Sequence, residues 1–211
     1  MPTVAARSRR SKGALQRRVD HYSAAQLRVA TAATELFSTQ GVAGTSLQMI
    51  ADAMGVTKAA VYHQFTTKEA IVLACTEIQL AALEQHLDRA EESNDRDRTR
   101  SEVLGVVIDL AVARRRTVGT LQNDPSVARL LAEHPPFRQI QMRLRQIMSG
   151  EPATSTSQVQ SAVVFAALTG AVAHPMVADL SDETLRQELK LLIERLLQLP
   201  DETQRSPRVT R

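Results

Sequence analysis

The chain has 211 residues and one cysteine, with 26 Lys or Arg against 23 Asp or Glu for a formal net charge of +3. One cysteine excludes an intramolecular disulfide, and Cys75, lying between apolar residues, reads as a core side chain or a redox sensor, the core being favoured. No apolar run near the N-terminus is long enough for a signal peptide or a membrane span, so the expected location is the cytoplasm.

The charge is unevenly placed. Residues 1–68 carry nine Lys or Arg against three Asp or Glu, while residues 69–211 carry seventeen against twenty. A basic head on a mildly acidic body is the asymmetry expected when one end meets a polyanion. Arg7, Arg9, Arg10, Lys12, Arg17 and Arg18 fall in residues 1–22, expected as a disordered basic arm. Such a segment either enters a DNA minor groove or remains a solvated tail.

Next come four helical patterns. Ser23 with Gln26, Thr45 with Gln48, and Thr66 with Glu69 have capping-box spacing, which places helices at about 24–39, 46–54, 57–64 and from 67 onward. In the first, Leu27, Ala30, Ala33 and Phe37 form a stripe that can cover the two short helices behind it. In the second, Leu47, Ile50, Ala51 and Met54 form an apolar face that ends where Gly55 can turn left-handed. Thr57 caps the third, which buries Val61 and Phe65 and leaves Lys58, Ala59, Ala60, Tyr62 and His63 outside. The pattern over 46–68 is a helix-turn-helix, giving a DNA-binding domain over 23–68.

In this motif the start of the second helix enters the major groove. The short side chains of Ala59 and Ala60 allow close approach, and Lys58 reaches a base edge or a phosphate. Thr45, Thr57, Tyr62, His63, Gln64 and Lys68 complete the expected DNA-binding set.

The rest of the chain, 69–200, continues as helical patterns at about 67–92, 98–121, from Asp124-Pro125, from Pro135-Pro136 to near Gly150, 156–178 and 182–199. Residues 201–211 are expected to be a disordered tail. The last two helices carry more apolar surface than a small domain buries alone. Val163, Ala166 and Gly170 lie on the first, with Leu185, Leu189, Leu192 and Leu196 at four-three-four spacing on the second. They serve either as core or as a subunit interface, with a homodimer favoured because a helix-turn-helix usually reads two half-sites.

Ala32, Ala33, Leu36, Phe37, Gly41, Thr45, Ile50, Ala51, Gly55, Val56, Thr57, Tyr62, Phe65, Lys68 and Glu69 together resemble the tetracycline-repressor (TetR) family of bacterial transcription regulators. The resemblance spans residues 24–73 and departs from the family pattern at Ala59, where Gly is common, and at Gln64, where His is common. It implies an all-α fold, a three-helix DNA-binding head on a helical effector-binding and dimerisation body. It also implies dimerisation through the last two helices as a four-helix bundle, and makes Tyr62 and Lys68 the strongest phosphate contacts.

By the same resemblance, an effector pocket is expected between the helices of 67–178, with Arg115, Met142, Phe165 and His174 as candidate lining. With few aromatics in the body, such a cavity suits a small hydrophobic or acyl-bearing molecule. Three consecutive arginines, Arg114 to Arg116, cannot share one solvated helix face, so at least one meets either a carboxylate or an anionic ligand group.

Catalysis has little support. The five histidines lack metal-ligand spacing, no cysteine pair or phosphate loop is present, and neither a catalytic residue, a metal site nor a cofactor is expected. Glu84 and His86, two apart on a helix, read as a surface pair. The sequence therefore reads as a one-component regulator, a repressor binding a palindromic operator as a dimer and released by a small molecule. The alternative is a DNA-binding regulator or architectural protein without a small-molecule effector.

Overall fold

The computed structural model describes residues 13–93, 95–115, 124–149 and 154–197, and among them every regular element is helical. The helices are α1 (Ala14–Asp20), α2 (Ala24–Gly44), α3 (Leu47–Met54), α4 (Lys58–Gln64), α5 (Lys68–Glu91), α6 (Arg96–Ala113), α7 (Pro125–Glu133), α8 (Pro135–Ser149), α9 (Ser155–Val172) and α10 (Asp182–Leu196), with a 3-10 turn at Pro175–Val177. The segment holding Arg7 to Lys12, residue Arg116 and the expected 201–211 tail lie outside the described residues.

Local chemistry accounts for most helix ends. Ser23 and Gln26 form the expected capping box, and Asp124 caps α7 with Pro125 in its first turn. Gly55 takes φ 65 at the end of α3, a left-handed conformation that costs a side-chain-bearing residue more than glycine. Two expected caps are displaced by one residue. Ser46, not Thr45, accepts from Met49 N, and Thr67, not Thr66, accepts from Ala70 N. Thr45 is instead buried, its hydroxyl donating to Gly41 O at 2.7 Å, because Gly41 at φ 73 breaks the end of α2 and turns the chain inward.

The head core joins Val29, Ala30, Ala33 and Phe37 of α2 to Ile50, Ala51, Val61 and Phe65, and continues into α5 through Ile71, Val72, Ala74 and Cys75. Leu27, expected in this core, is exposed, and Val29 takes the inward position. Val127 of α7 also belongs here, with Leu130 and Leu131 packed against it. The head therefore extends beyond residue 68 and borrows a helix from the body.

Two further cores build the body. Leu104, Ile108 and Val112 of α6 pack with Val164, Leu168 and Val172 of α9 and with Leu185, Leu189 and Ile193 of α10. Leu15, Leu83, Leu87, Val103, Ile140 and Leu144 form the second, and Phe165 touches both.

Helix α1 corrects the expectation of a disordered arm across all of residues 1–22. A seven-residue helix is not stable alone, and this one is held by tertiary contacts. Leu15 is buried in the second body core, and Gln16 N donates to Glu84 Oε2 at 3.0 Å, so a carboxylate from α5 caps the helix. Glu84 is consequently buried rather than a surface neighbour of His86. A Cβ at position 13 would collide with this carboxylate, which explains Gly13 at the close approach.

Candidate nucleic-acid interface

Helix α4 is seated by Val61 and Phe65, both buried, while Thr57, Lys58, Ala59, Ala60, Tyr62 and His63 are exposed together on its outer side. Tyr62 leaves 55% of its surface open, a large share for an aromatic side chain. The first turn is ordered by Thr57, whose hydroxyl accepts from Ala60 N at 3.2 Å. Thr57→Ala is expected to cost about 1 kcal/mol in urea denaturation and Thr57→Ser to cost little, since only the hydroxyl makes the cap.

The far end of α4 is tied to α2. Gln26 Nε2 donates to Gln64 O at 3.3 Å, and Ser23 Oγ donates to Gln64 Oε1 at 3.4 Å. Gln64 also lies 3.2 Å from His63 Nδ1 through its amide nitrogen. Its polar atoms thus have protein partners, and it is only partly exposed.

Two expected contacts take other positions. Thr45 is withdrawn from the surface by its bond to Gly41 O. Lys68 donates through Nζ to Val42 O at 2.6 Å and Thr45 O at 3.1 Å, so two of its three N–H groups hold the α2–α3 connection and at most one remains for a phosphate.

The expected effector residues do not converge. Met142 is exposed because α8 turns Ile140, Leu144 and Met148 inward instead. His174 is exposed, its Nδ1 accepting from Met176 N at 3.2 Å as the cap of the 3-10 turn. Arg115 pairs with Asp182 at 3.2 Å and donates to Leu180 O at 3.1 Å, so a carboxylate at the start of α10 already answers it. Phe165 alone lies inside, between the two body cores. Arg114 differs from its neighbour: Nη1 is buried with no hydrogen-bond partner among the described residues, and burial lowers its pKa.

The expected interface residues divide into two groups. Leu185 and Leu189 are buried in the protomer's own core, whereas Val163, Ala166, Gly170, Leu192 and Leu196 are exposed. The reason is rotational: Leu185, Leu189 and Ile193 face α6, and positions 192 and 196 lie on the outer flank of α10.

Sequence reasoning missed Glu77. It is 1% exposed, and Arg18 Nε (2.6 Å), His134 Nε2 (2.9 Å) and Tyr22 Oη (2.6 Å) surround its carboxylate. A signal was available, since Ala74, Glu77, Ala81 and Glu84 recur at three-four-three spacing, and all four are buried. Carboxylates on a core stripe require buried partners.

Among the described residues no helix is long and apolar enough to cross a membrane, and no group of three or more His, Cys, Asp or Glu side chains is arranged for a metal ion. The family model of the bacterial regulatory proteins, tetR family, matches residues 30–75, spanning α3, α4 and the head core. No curated protein matches the chain. Among solved structures, a transcriptional regulator from Aquifex aeolicus is 16% identical with a TM-score of 0.64, covering 82% of this chain and 99% of that one. PfmR, a TetR-family transcriptional regulator from Thermus thermophilus, is 19% identical with a TM-score of 0.62, covering 83% and 100%. NalD, the secondary repressor of the MexAB-OprM multidrug efflux pump in Pseudomonas aeruginosa, is 21% identical with a TM-score of 0.60, covering 81% and 94%. These likenesses carry the fold across both head and body. Residues 30–75 thus match the model of the bacterial regulatory proteins, tetR family, and the described helices behind them share the fold of solved transcriptional regulators.

Proposed function

We propose that the protein is a homodimeric repressor that binds an inverted-repeat operator in the cytoplasm and is released by a small molecule. The observation that carries the reading is the exposed outer side of α4, where Lys58, Ala59, Ala60 and Tyr62 stand clear of a fully packed inner side. Ala59 and Ala60 admit the helix to the major groove, Lys58 meets a base edge or phosphate, and Thr57, Tyr62 and His63 hold the flanking phosphates. Lys68 retains one N–H for the backbone, and Gln64 contributes through the placement of α4. The head is taken as 23–68 with the first turns of α5 added, and the body as the remainder to 200.

Dimerisation is supported by an apolar face that the protomer leaves open. Val159, Val163, Leu192 and Leu196 are exposed beside Ala162, Ala166, Ala167 and Gly170 on α9 and α10. A Cβ at position 170 would meet nothing within 4 Å, so no contact inside the protomer requires glycine there. A second copy packed closely against α9 supplies a reason for both the small residues and the open face.

The effector reading rests on Arg114. A buried guanidinium nitrogen at the end of α6, without a hydrogen-bond partner among the described residues, favours an anionic group, and an acyl-bearing carboxylate supplies one. Genomic footprinting of the full chain tests the core of the proposal: protected inverted repeats are expected. Lys58→Ala should weaken binding by about tenfold and reduce the salt slope by about one if Lys58 meets a phosphate. A folded Lys58→Ala, Tyr62→Ala variant with wild-type operator affinity would overturn the assignment of α4.

A further inference from the structure

Glu77 joins parts of the molecule that no helix connects directly. Its carboxylate, on α5, accepts from Arg18 of α1, from Tyr22 in the α1–α2 turn and from His134 between α7 and α8. Tyr22 reaches further, its ring packing on Phe65 with centroids 6.2 Å apart, and Phe65 N donates to Val61 O where α4 ends. On the other side, His134 closes α7, whose Val127, Leu130 and Leu131 pack into the head core. One buried carboxylate therefore lies between the body and the residue that terminates the recognition helix.

Stability alone is a weak reason for such a cluster, because buried ionic groups are often replaceable by packed apolar residues without loss. Geometry is a better one. Three donors from three elements fix the direction of both carboxylate oxygens, and the Arg18 side chain keeps about half its surface in water (53% exposed), so its charge need not be fully desolvated. Apolar contacts between α5, α7 and the head tolerate small sliding, whereas these hydrogen bonds do not.

Resting on the reading of the protein as a dimeric operator binder, we propose that Glu77 is a positioning residue, whose buried contacts with Arg18, Tyr22 and His134 set the angle of the head on the body and thereby the half-site spacing the dimer accepts. A one-base-pair change in the operator spacer displaces a half-site by about 3.4 Å and rotates it about the DNA axis. Rigidly held heads reject such a change, and loosened heads follow it. Glu77→Gln preserves volume but removes the charge beside Arg18 and replaces one acceptor oxygen with a donor, so it cannot accept from all three partners. Tyr22→Phe removes one hydroxyl and leaves the ring on Phe65.

The experiment measures affinity of full-length wild type, Glu77→Gln, Tyr22→Phe and the double variant for the operator and for versions with one base pair added to or removed from its centre, at a temperature where circular dichroism shows each variant folded. The preference for native spacing is expected to fall about tenfold in Glu77→Gln and severalfold in Tyr22→Phe, with the salt slope unchanged because no phosphate contact is lost. The double variant should resemble Glu77→Gln, since both changes break one network. Wild-type spacing preference in the folded Glu77→Gln protein overturns the inference. Should that variant not fold, unchanged preference in Tyr22→Phe does so. A wild type that binds no inverted repeat removes the operator-binding reading and this inference with it, whereas a discriminating wild type with equally discriminating variants removes only the role of Glu77.

Discussion

The Val163→Glu, Leu192→Glu double variant is expected to run as a monomer in analytical ultracentrifugation and to bind the operator at least about 100-fold more weakly than wild type. Both side chains are open in the protomer, 48% and 57% exposed, so neither substitution buries a charge within one subunit. Surface replacements of that kind usually alter stability by about 0.5 kcal/mol or less. In the proposed dimer the two-fold axis presents every substitution twice, placing four carboxylates in an apolar bundle without partners. Loss of one head from a two-half-site complex then removes its DNA contacts together, and 100-fold corresponds to about 2.8 kcal/mol. Thermal melting provides the control, because the variant should retain a cooperative transition. An unchanged mass at micromolar concentration would place the subunit interface elsewhere or remove it.

Alkaline titration should reveal the packing between α2 and α5. Burial pushes the Cys75 thiol from 9.0 up to about 11, and its Sγ donates to Ala30 O at 3.3 Å. Burial first, and then the hydrogen bond to the Glu77 carboxylate, also raises the Tyr22 phenol above its ordinary value. Both groups keep their protons longer in the folded protein than in the unfolded chain. The stability each contributes is complete below its unfolded value and is lost as pH rises toward the folded one. For Cys75 the window is pH 9 to about 11, and a two-unit difference amounts to about 3 kcal/mol across it. Urea denaturation at a series of pH values should show this decline, flattened in Cys75→Ala; the phenol adds its own loss from about pH 10 upward, absent in Tyr22→Phe. Alkylation of the native thiol at pH 8 is expected to be about 100-fold slower than in denaturant, as the thiolate fraction alone requires. A flat stability profile between pH 8 and 11, or a thiol that reacts as fast folded as unfolded, would contradict this burial.

The sequence by itself determined the local features of the protein. Ser23, Thr57 and Asp124 cap helices by bonding two or three residues away, Gly55 turns left-handed through its own backbone freedom, and Val61 and Phe65 are spaced to seat α4. These are short-range interactions, and adjacent residues are enough to specify them. The family resemblance extended this to the all-helical architecture of head and body. Tertiary structure alone decided which of several equivalent surfaces met a partner. Thr45 and Ser46 are both competent caps, and the break at Gly41 selects Ser46 by drawing Thr45 inside. Leu189 and Leu192 look alike in sequence, yet the rotation of α10 against α6 buries the first and exposes the second. Glu77 and Glu84 occupy a core stripe because α1 folds back to cap and pair with them, and among the described residues Arg115 but not Arg114 finds a carboxylate because α10 begins beside it. In each case the deciding partner lies tens of residues away, and its approach is set by the packing of whole helices rather than by neighbouring side chains.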